Sequence, residues 1–159
     1  MIIYIERKPN VSKKLKSKSP LLIGMSAEHK KHFIEVPRKA LERFVNKTAN
    51  MHDWEALMFR MRTCYEIALD IYVPSTQKEV LFVVELLRDI FYRYQESKAF
   101  DLSEEDIKNI GLGLDAMDTM QDQVTRKEML EPFLRTREYM KQFVSVNWFL
   151  KGYFGILFF

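Results

Sequence analysis

Apolar side chains recur at helical spacing along several stretches of this sequence, and each stretch is bounded by residues that start or stop a helix. Such a repeat brings every third or fourth side chain onto one face, as in a helix that buries one side. Only 5 Gly and 5 Pro interrupt the 159 residues, whereas an all-β domain needs many more tight turns. We therefore expect an all-α fold, a bundle of about four to five helices.

Two helices are predicted in the first half of the chain. The first is expected to begin at Pro37, because proline is favoured in a first helical turn, and to end in the polar run 46–50. The second is expected over residues 52–72, with Asn50 as its N-cap. Pro74 should end this helix, because a residue that precedes proline is pushed out of the helical region.

A third helix is predicted after residue 76. Thr76 and Glu79 have the spacing of a capping box, in which a side chain and a backbone N–H satisfy each other in both directions. The helix that follows is apolar around much of its circumference. We therefore expect this third helix at the centre of the bundle.

Two more helices are predicted towards the carboxyl end. Ser103 precedes three carboxylates, which suits a serine N-cap at the positive end of a helix dipole. Thr125 and Glu128 repeat the capping-box spacing and predict a fifth helix to about residue 143. Pro132 lies inside that span, so we expect a kink there or a later start.

Charge is distributed unevenly along the chain. Residues 1–47 hold 12 Lys and Arg against 4 Asp and Glu, a net charge of +8, whereas the other 112 residues hold 13 against 18, a net charge of −5. This asymmetry favours an anionic partner for the basic end or a cationic partner for the body. The alternative is that the two halves attract each other. We predict a basic, irregular N-terminal arm (1–25), a helical domain (26–143) and an apolar, aromatic C-terminal tail (144–159).

The basic arm is the first candidate for a binding site. No acid interrupts residues 7–18, and a basic arm can follow a nucleic-acid backbone without fixed geometry. No aromatic residue interleaves its lysines, so sequence-specific reading is not implied. The candidate residues for binding a partner or nucleic acid are Arg7, Lys8, Lys13, Lys14, Lys16, Lys18, Arg38, Lys39 and Arg43.

The tail is the second candidate. As a helix its 16 residues would span about 24 Å, short of the roughly 30 Å hydrocarbon core, so no transmembrane segment is predicted. So many apolar side chains would be costly to leave in water, which leaves the chain's own bundle, a second copy or a membrane surface to cover them. We favour self-association, as a homodimer, through Trp148, Phe149, Tyr153, Phe154, Phe158 and Phe159.

The sequence carries no catalytic signature. It has no Gly-rich phosphate loop and no Gly-x-Ser-x-Gly elbow. His29 and His32 have helical spacing, but only Glu28 and Glu35 stand near enough to complete a zinc site, so two solvent-facing histidines are the favoured interpretation. Cys64 is expected to be a small core residue. We predict that the protein is not an enzyme and has no catalytic, cofactor or metal site.

The cysteine count and the amino end bear on the compartment. A single cysteine forms no intramolecular disulfide, which suits a reducing environment. The first residues are apolar and then basic, the reverse of a signal peptide, and the apolar stretch is short. We therefore expect a cytoplasmic protein.

One region resembles a known group of proteins. The residues in question are Ala40-Leu41-Glu42-Arg43-Phe44, then Asn46-Lys47-Thr48-Ala49, then Asp53-Trp54 and Leu57. Their order resembles that in small helical accessory proteins of proteobacterial phages, prophages and plasmids, with a loose match over residues 1–135. Asn46 and Phe44 replace the commoner Gly and Leu, and the aromatic tail has no counterpart. The resemblance implies a mobile-element context and assigns no functional residue.

Three functional hypotheses follow. The leading one is a non-catalytic phage or mobile-element protein that binds a host protein or ribonucleoprotein, with inhibition of a defence system such as CRISPR (an anti-CRISPR) as the example. The second is a nucleic-acid-binding accessory protein that uses the basic arm. The third is a peripheral membrane-associated helper that uses the tail.

Overall fold

The computed structural model describes residues 2–9 and 27–143, with the backbone alone for residues 27–33 and 126. The described residues form five helices and no strand, so the predicted all-α bundle is confirmed. Their bounds are α1 (Ala27–Val45), α2 (Met51–Ile71), α3 (Pro74–Ser97), α4 (Glu104–Gln121) and α5 (Arg126–Met140). The lysines at 13, 14, 16 and 18 and the whole tail (144–159) lie outside the described residues.

Three predicted N-caps are confirmed. The Asn50 side chain accepts from the backbone N–H of Asp53, and the Asp53 carboxylate accepts from the backbone N–H of Asn50. The same reciprocal pattern joins Ser103 to Asp106 and Thr125 to Glu128. Capping boxes satisfy two N–H groups that have no partner within the helix, so these sequence signals fix where α2, α4 and α5 begin.

The predicted start of the first helix is wrong, and of the two alternatives for the fifth helix the later start does not occur. α1 already runs from Ala27, so Pro37 lies inside it rather than at its start. α5 begins at Arg126 and continues through Pro132, so the later start does not occur. An interior proline removes one helical hydrogen bond. α1 and α5 both pack against α2, and this packing outweighs the loss.

The third helix also begins earlier than predicted, with Pro74 in its first turn and no side-chain cap from Val73. Thr76 and Glu79 therefore lie within α3 and hold the amino-terminal segment instead. The Thr76 hydroxyl donates to the Tyr4 carbonyl at 2.7 Å and accepts from the Glu6 N–H at 3.2 Å. The Glu79 carboxylate accepts from the Tyr4 N–H at 2.8 Å.

Residues 2–9 lie against the corner between α2 and α3. The Lys8 N–H donates to the Ile71 carbonyl at 2.8 Å, and the Val73 N–H donates to the Glu6 carbonyl at 2.9 Å. Ile3 and Ile5 pack against the hydrophobic core. This part of the predicted basic arm is therefore attached to the bundle.

The centre of the bundle is α2, which packs against all four other helices, so the expectation that the third helix lies there is wrong. α3 leaves Phe82 and Tyr92 about half exposed, at 48% and 52%. Four charged side chains of α2 are buried. They are Asp53, Glu55, Arg60 and Glu66.

No helix in the described part of the chain is long and apolar enough to cross a membrane.

Candidate functional site

Arg7, the first predicted binding residue, makes its contacts within the chain. Its guanidinium donates to the carbonyl of Gln123 and lies 3.4 Å from the Glu128 carboxylate and 5.8 Å from the centre of the Tyr72 ring. Its side chain is only 12% exposed. The Tyr72 hydroxyl donates to the Gln123 side chain at 2.7 Å, and burial raises the pKa of Tyr72. Arg7 therefore joins the amino-terminal segment to the loop before α5.

The predicted basic residues on α1 also have intramolecular partners. Arg38 donates to Asp115 at 2.7 Å and to Asp118 at 2.6 Å, and thereby connects α1 to α4. Burial alone would lower the pKa of Arg38, but the hydrogen bonds to Asp118 and Asp115 raise it. Each of these contacts neutralises positive charge that a nucleic-acid interface would use.

The remaining described candidates follow the same pattern. Arg43 donates to the buried carboxylate of Asp53 at 2.7 Å. Lys39 lies 3.7 Å from Glu35, and the Lys8 ammonium donates to the Leu69 carbonyl at 3.0 Å. Among the described candidates, the structure therefore brings no group of basic residues together as one unneutralised surface.

A cleft elsewhere on the bundle does collect unpaired positive charge. It lies between the α1–α2 loop and the α3–α4 loop, has a volume of ≈ 360 Å³, and we name it the lysine cleft. Two lysines, Lys47 and Lys98, line it, and no acidic residue does. Its lining consists of Phe44, Lys47, Ala49, Asn50, Met51, Tyr94, Lys98, Ala99 and Phe100.

Both lysines have an unusual backbone. Lys47 and Lys98 have φ angles of 58° and 57°, and they are the only non-glycine residues with positive φ in the described part of the chain. Each follows the end of a helix, at the left-handed position that glycine usually occupies because it has no Cβ. A side chain there is strained, by roughly 1–2 kcal/mol.

Hydrogen bonds define the turn at Lys47. Its N–H donates to the Phe44 carbonyl at 3.2 Å, and the Thr48 N–H donates to the Arg43 carbonyl at 2.9 Å. This is the Schellman pattern that satisfies the last carbonyls of a helix. At the other loop, the Lys98 N–H donates to the Tyr94 carbonyl at 2.7 Å. Two helix ends thus fix the two lysines beside one cleft.

Aromatic side chains form part of the cleft lining. Phe100 stacks on Tyr94 with ring centres 4.2 Å apart and meets the edge of Phe44 at 5.1 Å. Phe44 is buried, whereas Tyr94 and Phe100 are partly exposed. The cleft therefore offers an apolar surface directly beside its positive charge.

The charge at the cleft is not neutralised from within the described residues. Neither Lys47 nor Lys98 has an ion-pair partner there, and both side chains are exposed. The first turn of α2 also borders the cleft through Asn50 and Met51, and a helix amino terminus carries partial positive charge. Asp53 is the acidic residue of that turn, and its carboxylate already accepts hydrogen bonds from Arg43 and from the Asn50 N–H. The arrangement suits an anionic group with an apolar neighbour.

Other reactive side chains do not form a site in the described residues. Cys64 is fully buried, and burial raises the pKa of its thiol, so it is a core residue as predicted. No group of three or more His, Cys, Asp or Glu residues is placed to hold a metal ion in the part of the chain that the structure describes. The side chains of His29 and His32 are not among those described.

Sequence reasoning did not identify the lysine cleft. Lys47 and Lys98 are 51 positions apart, and neither belongs to a recognisable motif. None of the predicted helices ends at the glycine that usually closes a helix, so a missing glycine does not single out these two positions.

Comparisons with protein-family models, with curated proteins and with solved structures find no match for this chain.

Proposed function

We propose that this protein is a non-catalytic accessory protein of phage or mobile-element origin that binds a host protein or ribonucleoprotein. The observation that carries the proposal is the lysine cleft, an aromatic-lined recess with two unpaired lysines and no acid in its lining. Such a recess resembles the part of a protein interface that accepts an anchoring side chain. The resemblance of residues 40–57 to mobile-element accessory proteins supports the proposed context.

The charge distribution supports a protein partner over nucleic acid for the helical body. Residues 26–143 hold 18 Lys and Arg against 21 Asp and Glu, a net charge of −3. Arg7, Arg38 and Arg43 are bound to carboxylates of the same chain. A nucleic-acid-binding surface usually presents a continuous basic patch. A net negative body would instead repel a phosphate backbone.

Nucleic-acid binding through the arm is the second candidate. It is favoured by four lysines within six residues, at positions 13, 14, 16 and 18, without an acid among them. This function would use those four lysines and leave the helical body without direct contact with the nucleic acid.

Affinity purification from the native bacterial host tests these candidates, with nuclease added to half of the sample. A protein partner that survives nuclease and forms a defined complex with the purified chain, measured by light scattering, supports the proposal. Recovery of nucleic acid alone contradicts it and favours the arm. A CRISPR effector is the first host complex to test, because its inhibition is measured directly as loss of target cleavage.

A further inference from the structure

We infer that the lysine cleft binds a short acidic segment of the partner protein, in which an apolar or aromatic side chain lies between carboxylates. This inference rests on the protein-binding function proposed above and assigns its partner chemistry to one site. Two ammonium groups supply the positive charge, and Phe44, Tyr94 and Phe100 supply the apolar surface. A volume of ≈ 360 Å³ lies within the range of small-ligand pockets, about 300–1,000 Å³.

Backbone strain is the second observation that marks this cleft. Glycine would relieve the left-handed conformation at Lys47 and at Lys98, yet lysine occupies both positions. Strained backbone that persists in a fold is concentrated at binding and catalytic sites. Here the only two such residues in the described chain line the same cleft.

The helix dipole does not explain this placement. A lysine near a helix carboxyl terminus does interact favourably with the partial negative charge there. That benefit, however, is available at any position of the last turn, where the backbone is unstrained. At both loops, the residue that holds the strained left-handed position borders the cleft.

A carboxylate partner fits the cleft better than a nucleic acid does. A strand of nucleic acid needs a series of positive contacts along its backbone, and the cleft offers two lysines. The body that surrounds it is net negative, as described above. Two carboxylates flanking one apolar side chain would be matched by the two lysines and the aromatic lining.

Nuclear magnetic resonance of the full chain labelled with ¹⁵N tests this inference. The probe is the peptide acetyl-Asp-Glu-Phe-Asp-Glu-amide, and two matched peptides replace either its acids by Asn and Gln or its Phe by Ser. We expect saturable shifts of the amides of Lys47–Met51 and Lys98–Phe100 with the acidic aromatic peptide. Weaker binding of both matched peptides supports the inference, and equal binding of the neutral peptide overturns it.

Glycine variants provide the matched protein test. Lys47→Gly and Lys98→Gly remove the charge and retain the left-handed backbone, so the fold should persist, as circular dichroism will verify. We expect the double variant to bind the peptide roughly tenfold more weakly, from the loss of two exposed charge contacts. Lys78→Gln is the control, because residue 78 lies 20 positions before Lys98 in α3, about 30 Å away along the helix.

Other outcomes separate the inference from the function on which it rests. A ten-nucleotide single strand of deoxythymidine that shifts the same amides more strongly than the peptide overturns the assignment to an acidic protein segment. If the host partner is recovered and the double glycine variant still binds it fully, the proposed function stands and the inference fails. If no host partner is recovered by purification, the proposed function itself fails.

Discussion

Lys47 and Lys98 close two different helices with nearly the same left-handed backbone, at φ 58° and 57°, and both line one cleft. They are separated by the whole of α2 and α3 in the sequence. The two helices between them form a hairpin that returns the chain to the same end of the bundle, so the α1–α2 and α3–α4 loops become neighbours.

We predict that Lys47→Gly and Lys98→Gly each stabilise the free protein. Glycine removes the strain of a Cβ in the left-handed region, which outweighs its greater entropy in the unfolded state. The expected increase in the free energy of unfolding is about 0.5–1 kcal/mol per site, measured by urea denaturation. Lys78→Gly in the interior of α3 should instead destabilise the protein by about 1 kcal/mol.

A buried carboxylate, Glu66, joins α2 to α5. Arg62 donates to one of its oxygens from Nε at 3.0 Å and from Nη2 at 2.6 Å, while Arg135 Nε donates to the other oxygen at 2.7 Å. The Arg62 guanidinium also lies 3.9 Å from the centre of the Tyr139 ring on α5. The Glu66 carboxylate therefore pairs with one guanidinium from its own helix and with one from α5.

We predict that Glu66→Gln destabilises the protein by about 2–3 kcal/mol. This is less than the usual cost of breaking a fully buried ion pair, because the Arg135 side chain is 38% exposed. Urea denaturation measures the change. Glu131→Gln is the matched control, since Glu131 lies 3.8 Å from Arg135 but is 84% exposed. It should change stability by less than about 0.5 kcal/mol. Equal effects of the two variants would contradict a structural role for Glu66.

The local parts of this fold could be predicted from sequence. The sequence predicts Thr125 as an N-cap from its capping-box spacing, and Asn50 and Ser103 from their residue types at a helix start, because these signals involve residues only a few positions apart. Thr76 and Glu79 have the same spacing and form no cap, because residues 4–6 lie against α3 and take their hydrogen bonds. Spacing alone does not reveal such a distant competitor.

The central helix and the candidate site depended on distant contacts. Asp53 and Glu66 are buried in α2, and Arg43 and Arg135 come from other helices to pair with them. Burial of charge follows from partners that a local pattern does not contain. The cleft was missed for the same reason, because Lys47 and Lys98 become neighbours only when α2 and α3 fold back on each other.

Two glycines in α4 provide a matched pair. A Cβ added at Gly113 would lie 2.7 Å from Met61 Cε and 3.0 Å from Val83 Cγ1, whereas one added at Gly111 would lie 3.8 Å from Leu41. We predict that Gly113→Ala destabilises the protein by about 1–2 kcal/mol through overpacking. Gly111→Ala should stabilise it by about 0.5–1 kcal/mol, because alanine favours helix. Melting temperatures that shift in the same direction would contradict the packing at Gly113.

Stability should depend on pH through Glu55. Burial raises the pKa of Glu55, and the hydrogen bond to His52 only partly offsets that effect. The folded protein then binds a proton more tightly than the unfolded chain, so stability from this group is present at low pH and is lost as pH rises through the folded pKa. Glu55→Gln should remove this loss of stability. The free energy of unfolding of the variant, relative to that of the unsubstituted protein, should therefore be higher at pH 7 than at pH 4, as measured by urea denaturation. Glu85→Gln, at an exposed position of α3, should show no such difference.

The described chain ends in an aromatic cluster. Phe143 packs against Trp54 and Phe91, with ring centres 5.4 Å and 5.1 Å away, and Tyr139 lies 5.4 Å from it. The Trp54 indole N–H donates to the Leu87 carbonyl at 2.8 Å, which ties the cluster to the pairing of α2 with α3. A chain that stops after Phe143 therefore retains all five described helices and this cluster.

Truncation after Phe143 is predicted to leave the protein folded and to make it monomeric. Six aromatic side chains in residues 144–159 would each gain roughly 1.5–3 kcal/mol from full burial, so covering them between two copies is a strong drive for association. Light scattering should show the mass per particle falling from that of a dimer to that of a monomer, with little change in melting temperature. A lower melting temperature at constant mass would mean that the tail packs on its own bundle. If neither changes but binding to lipid vesicles is lost, the tail acts at a membrane, and self-association is wrong.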